Sequence, residues 1–442
     1  MTSVLSHVPA LTAPRKAKAF TVAERTLDTG LRIVVVRRPQ VPLVELRLRV
    51  PFSGRAASHA AKASVLSDTL LSGTSTKSAV DIAVALQEIG GSLHVNSDPD
   101  RLMVSGNALS TGLPRLLDLV AEVVTDASYP NEEVVGERDR MIERLRIARA
   151  QPNVIAAEAL SRRMFGEHPY ARQIPDPEEV ASVTAAQLRS LHRQRLVPAG
   201  STLVVVGDLS PQRALDQVEA ALSTWDNAGK AQSAPRLPAL QTGPILVVDR
   251  PGAVQSNLRL GGRALPRQDA DYPAMQLANL VFAGYFSSRL VENIREDKGY
   301  TYSPHCVIDH SAAGSSLLLD ADVATEVTAP ALLEVRYELG RMATLPVGAD
   351  ELDSARQYAI GTLALSTATQ AGLASTLSAL LASGLGPDWL REHPQRLGRV
   401  TIEDVSRQAA IFLAPRQLIT VVVGDYDRVR PSLSALDEVA AG

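Results

Sequence analysis

The chain has 442 residues, more than one ordinary hydrophobic core accommodates, so we expect two or three domains. Hydrophobic residues make up 45% and charged residues 21% of the sequence, a balance typical of a soluble globular protein. The formal net charge is −3 and the aromatic content is 4%, so neither a global positive field nor a base-stacking surface is indicated. We therefore expect no nucleic-acid partner and no membrane partner.

The cysteine count and the chain start bear on the cellular compartment. Cys306 is the single cysteine, which excludes an internal disulfide framework and a multi-thiolate zinc site. The first twenty residues contain no apolar stretch long enough for a secretory signal, and no apolar run approaches the length of a membrane span. The sequence predicts a cytoplasmic protein with an N-terminal extension at residues 1–19.

The first half of the chain alternates strand and helix patterns. Residues 31–50 indicate a strand, a proline-marked turn and a second strand. The stretch "AKASVLSDTLLSGTST" (61–76) has apolar residues at near-helical spacing and predicts a helix that leads to a Gly-Thr stop. In "LQEIGGSLHVNS" (86–97), a helix ends at the glycine pair and an alternating strand follows. Residues 129–148 predict a turn and a long helix.

Several of these patterns return later in the chain, in the same order. "STLVVVGDLSP" (201–211) is nearly repeated by "QLITVVVGDYDR" (417–428), at an offset of 217 residues when Gly207 is aligned with Gly424. The same offset relates Thr184 to Thr401, each followed three residues later by Gln187 or Asp404 in a capping-box pattern that opens a helix. Likewise, residues 244–262 match residues 31–50, and residues 346–365 match residues 129–148. Ordered matches of this kind indicate an internal duplication.

Residues 226–243 lie between the two repeats and have the composition of a linker, rich in Ala, Gly, Pro and Gln. We therefore predict an α+β protein with two homologous domains, at residues 20–225 and 244–442. Each domain is expected to hold a mainly antiparallel sheet with hairpins, and helices on one face of it. The cleft between two like domains is the default position for a functional site.

The segment "FAGYFSSRLVENIREDKGYTYSPHC" (282–306) carries the chemistry of the second half. We predict a helix that starts at Ser287 or Ser288 and stops at Gly299, followed by an alternating strand. On the residues alone, Arg295 is expected in a surface ion pair with a neighbouring glutamate, the common fate of such an arginine. The alternative places the Arg295 guanidinium beside the Tyr302 hydroxyl at the cleft, where both donate hydrogen bonds to substrate carbonyls.

"FSSRLVENIREDKGYTYS" (286–303) resembles the arginine–tyrosine motif of the pitrilysin/insulinase family of zinc metallopeptidases, in its bacterial and mitochondrial processing-peptidase-like branch. "TGLRIVVV" (29–36), "LQEIGGSLHVNS" (86–97), residues 165–188 and "LVVVGDLSP" (203–211) resemble the same family in the same order. The resemblance covers almost the whole chain. It implies a metallopeptidase-like fold and gives Arg295 and Tyr302 the role of binding the substrate.

In that family, a helix with the pattern His-x-x-Glu-His supplies two zinc ligands and the general base, and a Gly-Thr follows it. Alignment on Gly73-Thr74 places Ser64, Ser67 and Asp68 at these three positions, and the position of the third ligand, a glutamate, falls on Arg144. The resemblance therefore implies that all ligands and the base are absent, so that this chain has no metal and no catalytic residue of its own.

Other catalytic arrangements find little support in the sequence. His94, His305 and His310 do not form a ligand triad at a defensible spacing. Asp68 with Ser64 or Ser67 suggests a serine hydrolase, but no Gly-x-Ser-x-Gly elbow surrounds them and no histidine is paired locally. We therefore reject a serine-hydrolase site.

The strand after the glycine pair matches the family's edge strand, which pairs with extended peptide by β-augmentation. This resemblance adds Ser92, Leu93, His94, Val95 and Asn96 as candidate substrate-binding residues; the alternative is an ordinary strand of the sheet. The segment around Tyr302 is its expected counterpart in the second half.

Loss of the zinc motif with retention of Arg295 and Tyr302 resembles the non-catalytic subunit of heterodimeric enzymes in this branch. The expected function is a substrate-binding subunit whose partner, a homologous chain with His-x-x-Glu-His, supplies the zinc. Two alternatives remain: a structural or assembly protein of the same fold, and a standalone peptidase with an unorthodox metal site.

Overall fold

The structure is a computed structural model that describes residues 19–227 and 229–442. All but the last residue of the predicted N-terminal extension lies outside this part. In the first half, the elements are β1 (Thr21–Thr26), β2 (Arg32–Arg37), β3 (Leu43–Pro51), α1 (His59–Thr69), α2 (Ala79–Glu88), β4 (Ser92–Ser97), β5 (Arg101–Leu109), α3 (Leu113–Asp126), α4 (Asn131–Arg149), α5 (Pro152–Phe165), α6 (Pro177–Ala181), α7 (Ala185–Arg195), β6 (Thr202–Gly207) and α8 (Pro211–Leu222).

The second half repeats the order from β2 to α8, and a final strand takes the place of β1 in the sheet. Its elements are β7 (Ile245–Asp249), β8 (Gln255–Ala264), α9 (Tyr272–Asn279), α10 (Arg289–Val291), β9 (His305–Ser311), β10 (Gly314–Ala324), α11 (Thr328–Thr344), α12 (Ala349–Ser366), α13 (Gln370–Ala382), α14 (Trp389–Arg399), α15 (Ile402–Phe412), β11 (Ile419–Gly424), α16 (Tyr426–Leu433) and β12 (Val439–Ala441). No helix of the described ranges is both long enough and apolar enough to cross a membrane.

Among the described residues, each half forms one six-stranded sheet, and the two sheets share a strand plan. The first runs β1-β2-β6-β3-β5-β4 and the second runs β12-β7-β11-β8-β10-β9. The pairs β2–β6, β7–β11 and β7–β12 are parallel, and the other pairs are antiparallel. The predicted α+β class with two homologous domains is confirmed, and each sheet is mixed but mainly antiparallel.

The two strands that flank each proline-marked turn are not neighbours in the sheet. Instead, β6 lies between β2 and β3, and β11 lies between β7 and β8. Since every residue of β11 and all but the first of β6 are buried, these apolar strands take central positions with a partner on both edges. The described residues form the hairpins β1–β2 and β4–β5 in the first half and β9–β10 in the second.

Both capping boxes expected at helix starts are present: Thr184 with Gln187 opens α7, and Thr401 with Asp404 opens α15. The strand expected from Tyr300 onward is wrong, because β9 begins only at His305. The preceding residues are irregular, since Gly299 has φ +65° and Pro304 has no N–H to donate to a ladder.

Each sheet is covered on both faces, whereas the sequence predicts helices on one face only. Helices of the same half pack on one face. On the other face of the first sheet, Leu373 and Leu377 of α13, which belongs to the second half, pack against Val34 and Val204. The reciprocal contact is made by Leu160 of α5 on the second sheet. Strands that are apolar on both faces require this second cover, and each half supplies it to the other.

The predicted linker follows the surface of this interlocked body. Leu237 and Leu240 pack into the apolar cluster beneath α5, and Arg263 of β8 donates a hydrogen bond to the Pro238 carbonyl. Residues 226–243 have linker composition, but in the structure residues 229–243 are held against both halves.

A buried aromatic cluster supports the outer end of α13. Leu380 of α13 packs against Tyr272 and Trp389, and the His393 ring stacks on Trp389 with 4.1 Å between ring centroids. The Nε2 atom of His393 lies 2.7 Å from Oε1 of Gln276. Burial, with a smaller contribution from nearby arginines, lowers the pKa of His393 to about 3.

The exchanged helix predicts coupled unfolding of the two halves. Leu377→Ala leaves a cavity at a fully buried site and should lower the free energy of unfolding by about 2–5 kcal/mol. Trp225 reports on the first half and Trp389 on the second, so fluorescence in single-tryptophan backgrounds separates them. Both midpoints should fall together, and Leu365→Ala, at an exposed position, should change neither. An unchanged Trp225 midpoint in Leu377→Ala would contradict the coupling.

His393 predicts a loss of stability in mild acid. Since its folded-state pKa lies below the unfolded value, its contribution is complete above about pH 6.5 and falls as pH drops toward the folded pKa. Below pH 6.5, the wild type should lose up to about 1.4 kcal/mol per pH unit relative to His393→Gln. Urea unfolding at pH 7, 6 and 5 measures this. The exposed His305→Gln is the matched control, and parallel pH profiles for wild type and His393→Gln would contradict the prediction.

Candidate functional site

Helix α1 presents the three residues expected at the positions of the zinc motif. Val65 and Leu66 face the core, while Ser64 and Asp68 are accessible. Ser67 is buried; its hydroxyl donates to the Ser64 carbonyl at 2.9 Å and lies 3.4 Å from the Ser97 hydroxyl at the end of β4. The two accessible positions are one helical turn apart, so their side chains share one face of α1.

The Gly-Thr that follows α1 has a structural role. The helix ends at Thr69, and Gly73 adopts φ +146°, which favours glycine. The Thr74 hydroxyl donates to Oε1 of Glu122 at 2.6 Å, and Lys77 also binds that carboxylate. The chain after α1 is therefore held against α3.

The structure places Arg144 of α4 directly beside Asp68. The Nη2 atom of Arg144 lies 2.9 Å from Oδ2 of Asp68 and 2.6 Å from Oε1 of Glu137, while Arg140 holds the second oxygen of Glu137 at 2.8 Å. Two carboxylates and two guanidinium groups thus form a charge-balanced cluster, which we call the α1–α4 ion cluster. Residues that lie 76 positions apart in sequence, and that the family resemblance assigns to one metal site, are in contact here.

Glu137 was not among the residues predicted from sequence. It lies seven residues before Arg144, which is two turns of α4, so the helical repeat places both on one face. That spacing is the signal that could have identified it. Burial and the neighbouring Glu137 carboxylate raise the pKa of Asp68 to about 6. Although burial acts in the opposite direction, hydrogen bonds from Arg144 and Arg140 lower the pKa of Glu137.

The α1–α4 ion cluster does not fit a zinc ion. Zinc sites use Cys, His, Asp or Glu donors, and an arginine has no lone pair to offer and repels a divalent cation. Across residues 19–227 and 229–442, no group of three or more such donors is arranged to hold a metal. The Arg144 guanidinium binds one carboxylate oxygen of Asp68 and one of Glu137, so these oxygens are not free to bind a metal ion. Because Arg144 and Asp68 are partly exposed, the pair itself adds only about 0–1 kcal/mol to stability.

The three histidines considered as ligands do not converge. His94 is exposed on β4, in the first half. His305 and His310 are on β9, in the second half: Nε2 of His305 lies 3.5 Å from Asp320, and Nδ1 of His310 lies 2.8 Å from the Ser315 hydroxyl. The structure therefore separates them.

Strand β4 borders the α1–α4 ion cluster. It is the last strand of the first sheet and pairs with β5 alone among the described residues. A cleft of about 380 Å³ is lined by β4 and by the α1–α4 ion cluster. Its walls include Leu93, His94 and Val95 together with Asp68 and Arg144. Ser92 and Asn96 lie on the same strand beyond the cleft. Two features that the sequence predicts separately, helix α1 and strand β4, therefore line one cleft.

Arg295 and Tyr302 are neighbours, as expected from the motif. The guanidinium carbon of Arg295 lies 4.8 Å from the Tyr302 ring centroid and 4.6 Å from that of Phe286. Its Nε atom also lies 3.1 Å from Oε1 of Glu296. The local ion pair expected on the residues alone is present, and the guanidinium also contacts the Tyr302 ring; the substrate-binding role of the two residues stays a prediction. With two rings beside the guanidinium and Nε engaged, the Nη groups remain to donate to an acceptor.

Phe286 is a further candidate that sequence reasoning missed. Its side chain is 59% exposed and Tyr302 is 80% exposed, an uncommon situation for aromatic rings in a chain so poor in them. Phe286 lies in an irregular segment between helices, so no periodicity points to it. Its place in the "GYF" loop, at the start of the arginine–tyrosine motif, is the only signal the sequence contains.

Polar contacts anchor the helical turn that carries Arg295. Residues Glu292–Asp297 form a π-helical turn, a wider geometry often found at functional sites. The side-chain amide of Asn293 donates to Glu334 at 3.0 Å and to Glu338 at 2.8 Å, both on α11. These contacts fix the turn against α11. The counterpart of β4 in the second sheet is β9, so the expectation that the segment around Tyr302 takes this place is wrong by a few residues.

The fold and these two sites define a two-domain, peptidase-like protein with an ion cluster between α1 and α4. Two family models match consecutive parts of the chain: "Insulinase (Peptidase family M16)" at residues 62–178 and "Peptidase M16 inactive domain" at residues 182–358. The chain belongs to the insulinase family of peptidases.

Relatives and solved structures agree with this assignment. An uncharacterized zinc protease of Mycobacterium bovis is 28% identical over 408 residues, which cover 90% of this chain and 92% of the relative. The uncharacterized zinc protease YmxG of Bacillus subtilis is 25% identical over 411 residues, 89% of this chain and 95% of the relative. A peptidase M16 inactive domain from Pseudomonas fluorescens has the same fold, with a TM-score of 0.85, 22% identity and coverage of 91% and 98% of the two chains.

The assignment of Ser64, Ser67, Asp68 and Arg144 to ligand positions predicts that zinc binding can be rebuilt. The fourfold variant Ser64→His, Ser67→Glu, Asp68→His and Arg144→Glu should bind about one zinc ion per chain, because it restores two imidazoles and a carboxylate on α1 and α4. Elemental analysis after dialysis measures the metal, and the wild type should retain none.

The matched control keeps Arg144 and carries only the three changes on α1. Its zinc affinity should be at least about tenfold weaker, since the third ligand is missing and a cation remains beside the ion. A folded fourfold variant that binds no more zinc than the wild type would show that these residues are not at ligand positions.

Proposed function

We propose that this chain is the non-catalytic, substrate-binding subunit of a two-subunit zinc peptidase. Its partner is a homologous chain that carries His-x-x-Glu-His and supplies the zinc. The observation that carries this proposal is the α1–α4 ion cluster: Arg144 binds the Asp68 and Glu137 carboxylates, and the family resemblance assigns Asp68 and Arg144 to ligand positions. Meanwhile Arg295 and Tyr302, in the second half, remain accessible to a ligand.

Arg295 and Tyr302 are suited to hold a peptide carbonyl. A guanidinium and a phenol hydroxyl are both donors, and the contacts of Arg295 with the Phe286 and Tyr302 rings reduce the freedom lost when it binds. Donors placed in advance around a carbonyl orient the scissile bond and stabilise negative charge that develops on its oxygen. In this proposal, the pair acts on substrate at the partner's zinc.

Strand β4 offers a second contact to the same substrate. An extended peptide can add to an edge strand through main-chain hydrogen bonds, with its side chains received by neighbouring pockets. The cleft beside Leu93, His94 and Val95 is such a pocket. Ser92 and Asn96 extend the same edge. The expected cytoplasmic location belongs to the proposal as well, and cell fractionation tests it.

The test is reconstitution with a homologous chain that carries His-x-x-Glu-His. The mixture should cleave peptide, while neither chain alone should do so. Arg295→Ala or Tyr302→Phe should lower kcat/KM of the pair by about 10- to 100-fold, because each removes a donor used in binding or in the transition state. Size-exclusion chromatography should show that both variants still associate with the partner.

A matched control comes from α16, where Arg430 lies over the Tyr426 ring with 5.8 Å to its centroid. Arg430→Ala and Tyr426→Phe remove a similar surface pair and should leave cleavage unchanged. Full activity of the partner alone contradicts the proposal. A pair that needs this chain but tolerates the double substitution of Arg295 and Tyr302 would instead indicate a structural or assembly role.

A further inference from the structure

A second polar cavity lies where the two halves meet. Its volume is about 270 Å³, and it is lined by the β4–β5 turn, the β9–β10 turn and the last turn of α13. The two turns are joined directly, since Asp100 accepts hydrogen bonds from the Tyr170 hydroxyl at 2.6 Å and from the Ala312 amide at 2.8 Å. The cavity shares no lining residue with the cleft beside β4 or with the Arg295 site.

The acidic groups of this cavity already have partners. Asp98 pairs with Arg101, with 2.9 Å between Oδ2 and Nε. Both oxygens of Asp100 are engaged at the joined turns. The remaining carboxylate, Asp309, accepts from the Ser311 hydroxyl at 3.4 Å, and burial together with Asp100 and Asp98 raises its pKa. A raised pKa makes Asp309 a weaker source of negative charge.

Two of the basic groups are not neutralised. Arg49 of β3 lines the cavity, is only partly exposed, and forms neither a side-chain hydrogen bond nor an ion pair within the described residues. Arg267, on the segment after β8, lines the same cavity and has no ion pair in that part of the chain. Burial and the neighbouring Arg101, partly offset by Asp98 and Asp100, lower the pKa of Arg49. The attraction of Asp98 and Asp100 for Arg49 is therefore smaller than the cost of burying its charge.

We propose that this cavity binds a small oxyanion, a phosphate or carboxylate group, through Arg49 and Arg267. The planar guanidinium group offers paired N–H donors that match the oxygens of either anion. An unpaired cation in a partly desolvated site is unfavourable, and an incoming anion removes that cost. Since Arg49 belongs to the first half and Arg267 to the second, the bound anion ties the two halves together. This site does not depend on the proposed peptidase role.

Thermal unfolding of the full chain tests the site, with inorganic phosphate and succinate titrated separately at constant ionic strength set by sodium chloride. One or both anions should raise Tm with saturation, as expected for a ligand of the folded state. The anion that acts identifies the source of the oxyanion. Arg49→Gln and Arg267→Gln should each weaken the apparent affinity at least about tenfold, equivalent to about 1.4 kcal/mol.

Arg115→Gln is the matched control, because Arg115 is exposed on α3 and has no ion pair in the described part. It should leave the titrations unchanged. Two results would overturn the inference: no saturable response to either anion in the wild type, or a response that survives both Arg49→Gln and Arg267→Gln. Isothermal titration with the active anion gives the same comparison for any variant whose baseline Tm has shifted.

Discussion

The architecture depends on one constraint, the need to cover both faces of the central strands. Val34 and Val36 of β2 and Val204 and Val206 of β6 are fully buried on the face away from the helices of their own half. Among the described residues, α13 of the second half covers that face, as α5 of the first half covers the corresponding face of the second sheet. Each half therefore completes the other.

In the α1–α4 ion cluster, the balance of charges determines whether a metal ion can bind. A zinc site holds an excess of donor groups around a cation, whereas here Arg144 and Arg140 balance Asp68 and Glu137 among themselves. The cluster is partly exposed and adds little to the free energy of unfolding. Its main effect is that the Asp68 and Glu137 carboxylates are already bound by arginine. The other site differs, because Arg295 is oriented by Phe286 and Tyr302 while its outer N–H groups remain free to donate.

The two domains and most of the candidate site residues could be predicted from the sequence. The packing of α5 and α13 on the sheet of the other half could not. The repeat at an offset of 217 residues was enough for the two domains, because ordered matches require similar folds. The exchange of α5 and α13 was not predictable, since helical periodicity shows that a face is apolar and not which sheet it covers. Glu137 could have been found from its spacing to Arg144 on α4. Phe286 could not, because its exposure depends on an irregular turn.

In the proposed function, this chain binds peptide without a metal of its own. The most direct measurement is fluorescence anisotropy of a peptide that the assembled pair cleaves, titrated with the isolated chain in the presence of a chelator and then of added zinc. If this chain binds peptide without metal, the peptide has the same dissociation constant under both conditions. Arg295→Ala should weaken the binding and raise that constant. Binding that disappears with chelator and returns with zinc would contradict it.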